Sequence, residues 1–285
     1  MTLHHRSLAC AAVALWASAS QAACLSDAEV QALMDNYQAR QPAANPEGLS
    51  AADGECSRAK LLKLFDARFG ASIGYKAGLT NPAVQKRFNH DAPVWGALYA
   101  PMLLKSGSVV DAAFGARPLF EADLLVRVAS ASVNQAKTPE DVLAAIDQVI
   151  PFIELPDLVV QAPPKLNGAS ITAINVGARL GVLGTPIAVQ GVAEFSNALR
   201  DMVTIVKGDG VELDRGKGSD VLEHPLNAVV WLAKDLARDG RAMKPGDLIS
   251  LGSFSRLLPP KPGLVVEVQY QGLPGDPVVS VSFKP

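Results

Sequence analysis

Histidine and cysteine are scarce in this 285-residue chain, which holds four of the first and three of the second. Cys10, His4 and His5 fall within the first 23 residues, which leaves Cys24, Cys56, His90 and His224 beyond them. A zinc site built from His and Cys therefore lacks ligands. An excess of charge is missing too. A net charge of −2 argues against a protein that grips nucleic acid electrostatically. Aromatics make up 6% of the chain and leave few platforms for stacking bases. No stretch has the ~18 uninterrupted apolar residues of a membrane span. No G-x-G-x-x-G follows a strand pattern. Gly216-Lys217-Gly218-Ser219 lacks both the upstream glycine and the hydroxyl directly after Lys217 that a phosphate loop needs. What is present, 49% apolar and 19% charged residues, describes a folded globular protein.

The first 23 residues, MTLHHRSLACAAVALWASASQAA, read as a secretory signal. Arg6 gives a positive start, Leu8 to Trp16 is a short apolar run, and Ser20-Gln21-Ala22 offers small residues for cleavage. A buried N-terminal helix is the other reading. Export places the protein in the periplasm or outside the cell. The two cysteines beyond the cleavage point, Cys24 and Cys56, then suggest one disulfide. It would close a loop of about 30 residues, worth roughly 3–4 kcal/mol. Lipidation of Cys24 is the rival.

Ser26 caps a predicted helix running to Arg40, with Glu29 as capping-box partner. Gln41–Glu55 reads as a Pro/Gly/Ala-rich connection, and a second helix is expected over Ser57–Phe69. From Ile73 short apolar runs alternate with Gly, Pro and Asp turns. Val94–Tyr99, Phe120–Val128, Phe152–Leu155, Val182–Ala188, Leu248–Leu251, Val265–Tyr270 and Val278–Phe283 read as strands, the last two as a hairpin. Thr138-Pro139 opens a helix expected to reach about Ile150, and Pro225 opens one ending at Gly240. Strands without a βαβ rhythm predict an α+β fold. The expected division is a leader over 1–23, a helical segment over 24–72 and the main β part over 73–285.

Two patterns carry possible chemistry. Gly70-Ala71-Ser72-Ile73-Gly74 matches the G-x-S-x-G nucleophile elbow, but a helix precedes it and a strand follows, the reverse of what an elbow needs. A plain helix-to-strand turn explains it equally. The second pattern is acidic. Period two puts Glu121 and Asp123 on one face of a strand, where like charges repel. Glu154 sits alone in the apolar run Phe152-Ile153-Glu154-Leu155, and a buried unpaired carboxylate is costly. Convergence of the three on one hard divalent cation, Mg²⁺, Mn²⁺ or Ca²⁺, would resolve both problems. A solvated strand face and a Lys or Arg partner for Glu154 are the alternatives.

A series of motifs in fixed order bears on that choice. Gly74-Tyr75-Lys76-Ala77-Gly78-Leu79-Thr80 is followed by Pro82-Ala83-Val84-Gln85, Trp95-Gly96-Ala97-Leu98 and Glu121-Ala122-Asp123. Ile153-Glu154, Val182-Leu183-Gly184, His224-Pro225-Leu226-Asn227-Ala228 and Gly252-Ser253 come next, ahead of Lys261-Pro262-Gly263. The series resembles the 2-keto-4-pentenoate hydratase family of the fumarylacetoacetase-like superfamily, over roughly residues 25–285. The resemblance implies a mixed β-roll with flanking helices and a small N-terminal helical part. It implies Mg²⁺ or Mn²⁺ held by Glu121, Asp123 and Glu154, with Lys76 as the active-site lysine and Ser253 and Asn175 as further pocket residues. The implied assembly is a homo-oligomer. The implied reaction is hydration of a small 2-hydroxy-2,4-dienoate to a 4-hydroxy-2-oxo acid. A decarboxylase or C–C hydrolase of the same superfamily, or a non-catalytic periplasmic binder of small acids, are the alternatives. The chain departs from the family in having Asp123 where Glu is usual, Ile174 where an Asp precedes the Asn, and Arg256 in place of a smaller pattern.

Overall fold

The computed structural model describes residues 24–285. The expected leader, residues 1–23, lies outside the described residues.

The chain opens with helices α1 (Asp27–Ala39) and α2 (Ala51–Phe69). The predicted capping box of Ser26 and Glu29 is formed, and Arg40 ends α1 in the left-handed region. α2 starts six residues earlier than the expected Ser57. Ser50 caps it and exchanges hydrogen bonds with Asp53, so the last third of the supposed connection Gln41–Glu55 is helix. Strand β1 (Gly74–Gly78), helix α3 (Pro82–Arg87) and strands β2 (Val94–Leu98), β3 (Leu103–Lys105), β4 (Ser108–Val110) and β5 (Glu121–Val128) follow. Next come α4 (Pro139–Leu143) and β6 (Ile146–Leu155). The helix expected to reach Ile150 thus ends at Leu143. Its cap, Thr138 with Asp141, is formed, but Ile146–Ile150 pairs along β5 instead. That pairing overrides the local helical pattern. Then follow α5 (Gly168–Ala173), β7 (Leu180–Leu183), β8 (Ile187–Ala188), α6 (Val192–Asp201), β9 (Val203–Gly208), β10 (Val211–Lys217), α7 (Asn227–Arg238), β11 (Leu248–Ser250), β12 (Val265–Gln271) and β13 (Val278–Phe283). Between α2 and β1 the G-x-S-x-G motif is a helix-to-strand turn.

The strands form two mixed sheets, as the α+β reading requires. The large sheet runs β2-β1-β11-β5-β6-β7-β3, with β8 beside β6; the small sheet runs β10-β9-β12-β13-β4. On β5 and β6 both faces are buried. Phe120, Ala122, Leu124 and Val126 join the main core with Ile153 and Leu155. The opposite face carries Glu121, Asp123 and Leu125 on β5, and Glu154, Phe152 and Ile150 on β6. Leu125, Ile150 and Phe152 pack there with Leu98 as a separate apolar patch, so the acids sit at one end of a greasy face. Tyr270 of the small sheet joins the layers. Its hydroxyl lies 2.6 Å from the Phe152 carbonyl and 2.8 Å from that of Asp123, and accepts the Phe152 N–H at 3.1 Å.

α1 and α2 belong to the same core. Val30, Leu33, Met34 and Tyr37 recur at helical spacing and pack with Leu61, Leu62 and Phe65. The Tyr37 and Phe65 rings lie 5.0 Å apart. α2 rests closely on α5, where a methyl group on Gly54 would stand 2.4 Å from the Ala169 carbonyl oxygen. Cys24, just before α1, is joined to Cys56 in the second turn of α2, with Cα atoms 5.6 Å apart. A non-reducing digest is expected to yield a linked pair of peptides containing Cys24 and Cys56. Cys56→Ser is expected to lower unfolding free energy by about 3 kcal/mol, measured by urea denaturation without reductant.

Candidate active site

Lys76 lies on β1, where it pairs with Ser250 of β11. Ser250 in turn pairs with Leu125 of β5. Residues opposite one another in a sheet share a face, so Lys76, Ser250, Asp123, Glu121 and Glu154 all emerge on the same side. Lys76 and Glu154 are three strand spacings apart, about 14 Å across a flat sheet. Their side chains nevertheless form an ion pair, because the sheet curls around this face. Glu121 and Glu154 are direct cross-strand partners.

The Lys76 ammonium is buried. It donates to Glu154 Oε1 and, at 3.0 Å, to the backbone carbonyl of Val176. That carbonyl is offered by an unusual turn. Asn175, Val176 and Gly177 have φ of 54°, 53° and 65° in succession. A β-branched residue in the left-handed region is strained. Asn175 supports the turn from outside the cavity. Its side chain accepts the Ala97 N–H at 2.7 Å and donates to the Ala97 carbonyl at 3.1 Å. The expectation that Asn175 lines the pocket is therefore corrected. It clamps the turn to β2, and the preceding Ile174 is buried in the core. The Val176 carbonyl is the functional group that side-chain patterns could not reveal. The sole hint was Asn-Val-Gly, two of whose residues tolerate positive φ.

Glu121, Glu154, Lys76 and Ser253 line a cavity of about 530 Å³. Asp123 does not. Its short arm leaves Oδ1 against the N–H groups of Leu124 (2.6 Å) and Gly252 (3.0 Å), and Oδ2 accepts from Ser250 Oγ at 2.5 Å. Among the described residues no three His, Cys, Asp or Glu side chains are grouped closely enough to hold one metal ion. The expected convergence of three acids is thus seen for two, Glu121 and Glu154, with Asp123 tied to β11 behind them. Ser253 donates to the Ser255 carbonyl at 2.5 Å.

Electrostatics single out the same spot. Burial, then the charge of Glu154, push the Glu121 carboxyl well above the usual carboxylate range, against the pull of Lys76 and Ser253. Asp123 is raised for the same two reasons, opposed by its bonds from Ser250 and Leu124. Glu121 and Glu154 thus face the cavity beside one ammonium, with Asp123 behind them. Their hard oxygen donors fit a divalent cation.

The remaining candidates lie elsewhere. Ser72 is not on the cavity wall. His224 is buried and meets Ser196, but its Nδ1 accepts the Leu226 N–H, so Nε2 carries the proton and faces the Ser196 carbonyl. A ring in that tautomer cannot serve Ser196 as a base.

No protein-family model matches the chain. The 2-keto-4-pentenoate hydratase of Paraburkholderia xenovorans (strain LB400) is 31% identical over 202 residues, covering 70% of this chain and 73% of that protein. The 4-oxalocrotonate decarboxylase of Pseudomonas sp. (strain CF600) is 30% identical over 208 residues, 73% and 77% of the two chains. The chain belongs to the 2-keto-4-pentenoate hydratase family. In structure it is similar to 4-oxalocrotonate decarboxylase from Pseudomonas putida G7 complexed with magnesium and adipate. The TM-score is 0.79 at 26% identity, over 90% of this chain and 96% of that one. Fumarylpyruvate hydrolase from Pseudomonas aeruginosa, in complex with Mn²⁺ and pyruvate, shares the fold, with a TM-score of 0.55 at 14% identity over 74% and 88% of the chains.

These relatives correct the expected periplasmic or secreted location. They are cytoplasmic-type enzymes, and the leader reading rests on residues outside the described ones. Among the described residues no helix is long and apolar enough to cross a membrane.

Two outcomes test the electrostatics. Lys76→Met leaves the buried acids without their ammonium, and the metal-free variant is expected to lose about 3 kcal/mol of stability in urea unfolding. Glu121 and Asp123 have folded pKa values above their unfolded ones. Their contribution is therefore most favourable below the ordinary carboxylate range and is lost as pH rises through the raised values. Metal-free protein is expected to weaken over that interval, and Glu121→Gln to flatten the fall.

Proposed function

We propose that the protein is a divalent-metal-dependent lyase of small 2-oxo or 2-hydroxy-dienoic acids, with hydration as its reaction and residues 73–285 as its catalytic part. The observation that carries the reading is the buried cross-strand pair Glu121 and Glu154, with Lys76 bonded to Glu154, on the wall of one cavity. Glu121 and Glu154 would hold Mg²⁺ or Mn²⁺, with Ca²⁺ as a substitute. Asp123 holds β11 and the Gly252 turn in place behind them. A bound divalent ion supplies Lewis-acid polarisation of the acid's carboxylate and 2-oxygen.

The chain's own groups do the rest. The Lys76 ammonium, fixed by Glu154 and Val176 O, stands where a proton is delivered to or taken from the substrate's carbon skeleton. Ser253 lines the same wall and is a hydrogen-bonding group for a polar substrate atom. The apolar walls of Leu79, Phe88 and Leu158 exclude bulk water and seat a short hydrocarbon chain. Homo-oligomerisation belongs to the same reading. The exposed Val211, Val265 and Val278 of the small sheet are apolar surface available for it.

Decarboxylation is the second reading, favoured by the P. putida G7 enzyme, which this chain matches over 90% of its length. Both reactions need the same stabilised enolate, and they differ in whether water is added or carbon dioxide leaves. Incubation of the protein and Mn²⁺ with 2-hydroxypenta-2,4-dienoate is expected to deplete the diene absorbance and give a product heavier by one water. Turnover of 4-oxalocrotonate with carbon dioxide release, and none of the dienoate, would favour decarboxylation. Metal and acid binding with turnover of neither is the outcome for a non-catalytic binder.

The ligand assignment has its own test. Glu121→Gln and Glu154→Gln are each expected to weaken Mn²⁺ binding, followed by titration calorimetry, at least about tenfold. Asp123→Asn is expected to weaken it by less.

A further inference from the structure

Separate parts of the fold grip the Asn175–Gly177 turn that offers the Val176 carbonyl to Lys76. β2 holds its start through the Asn175 side chain. The Asp157 N–H, just beyond β6, donates to the Gly177 carbonyl at 2.9 Å. A further grip falls on the residues that leave the turn, and it comes from α1. The Tyr37 hydroxyl donates to the Ala178 carbonyl at 3.4 Å. The Arg179 guanidinium lies 4.1 Å from the centre of the Tyr37 ring and donates to the Tyr37 carbonyl at 2.5 Å.

Arg179 joins these grips to one another. Its side chain is 10% exposed and stands 4.0 Å from the carboxylate of Asp157, which is fully buried. Asp157 also accepts the N–H groups of Ala116 at 3.0 Å, Arg117 at 2.7 Å and Val159 at 3.2 Å. Arg179 therefore bridges the last turn of α1 to the Asp157 segment, and both of these touch the turn. A guanidinium at a helix C-terminus meets orphan carbonyls and the negative end of the helix dipole. Stacking on Tyr37 adds a cation–π attraction. α1 is anchored in turn at its start. The Leu25 N–H donates to Ser57 of α2 at 2.9 Å, Lys60 reaches Asp27 at 2.8 Å, and Cys24 is joined to Cys56. Successive residues at positive φ need such support to persist. If the turn relaxes, the Lys76 ammonium keeps Glu154 alone.

We propose that Arg179 is a positioning residue. By locking the chain that leaves the turn onto α1 and Asp157, it fixes the Val176 carbonyl and through it the Lys76 ammonium. Arg179 does not line the cavity and acts only through that carbonyl. The N-terminal helices thereby become part of the machinery that aims Lys76. The inference rests on the reading that Lys76 moves a proton on the substrate.

The first test needs no turnover. The full metal-free chain is labelled with trinitrobenzenesulfonate, and labelling at each lysine is read from peptide masses against the exposed Lys261. Lys76 is expected to label slowly in wild type and at least about tenfold faster in Arg179→Met, where the turn opens locally. Arg179→Gln is expected to behave alike. Val281→Ala, a core substitution in β13, lowers stability away from the turn and is expected to leave Lys76 slow. The second test reads steady-state kinetics with Mn²⁺ and 2-hydroxypenta-2,4-dienoate. Both Arg179 variants are expected to lower kcat by about tenfold or more with KM unchanged, the signature of a misplaced group. Unchanged Lys76 labelling in both Arg179 variants, equally fast labelling in Val281→Ala, a rise in KM alone, or an unmoved kcat would each overturn the assignment. Absence of dienoate turnover by wild type, with Lys76 freed in the Arg179 variants alone, would overturn the hydration reading and leave the positioning role of Arg179 standing.

Discussion

The structure depends on the cost of burying like charges on one face of a sheet. Glu121 and Glu154 face each other across β5 and β6, with Asp123 one step along the strand, all but sealed from water. Such an arrangement is unfavourable unless something positive is brought to it. One part of the compensation is permanent, the ammonium of Lys76, and the sheet must curl for that group to arrive. The remainder is what a doubly charged cation would supply. The apolar neighbours Leu125, Ile150 and Phe152 raise the stakes by keeping water away. Stability and chemistry therefore share one origin, since the charge that threatens the fold is also the charge that would hold a reactive ion.

The backbone around Lys76 shows how the lysine is kept in place. Glu154 and Val176 O constrain the ammonium from two directions. The Val176 carbonyl is available because three successive residues adopt positive φ. The strain of that turn is offset by the paired hydrogen bonds from the Asn175 side chain to Ala97 on β2. A polar residue one step outside the cavity thus governs the geometry inside it. Asp123 plays a similar part on the other side, tying β5 to Ser250 and Gly252 of the strand and turn next to Lys76.

Local signals in the sequence were legible where the physics is local. Ser26 with Glu29, and Thr138 with Asp141, announce helix starts through side chains that satisfy nearby N–H groups, and both are formed. Ser50 with Asp53 is the same device, hidden in a stretch whose Pro and Gly content suggested a connection. Ile146–Ile150 misled because its apolar spacing suits a helix, while the partner that makes it a strand, β5, lies some twenty residues away. The alternation around Glu121 placed Glu121 and Asp123 on one face, as the register of β5 and β6 has them, and the motif around Lys76 singled out a lysine that pairs with Glu154. The turn that orients Lys76 and the retreat of Asp123 were not legible. A backbone carbonyl has no letter in the sequence, and the loss of one methylene changes which donors a carboxylate can reach.

A division of labour follows from the cavity. The inner end, built on strands, is rigid and suited to an oxygen-rich acid head shared by many substrates. The rim, built from α3, the end of β10 and the 253–258 loop, is where one member of a family can differ from another. The central claim concerns the inner end and is best tested by diffraction from crystals soaked in Mn²⁺, recorded at a wavelength where manganese scatters anomalously. The account predicts a strong anomalous peak between the carboxylates of Glu121 and Glu154, within reach of the Lys76 side chain. Full occupancy of manganese elsewhere on the protein, with these two glutamates bare, would contradict it.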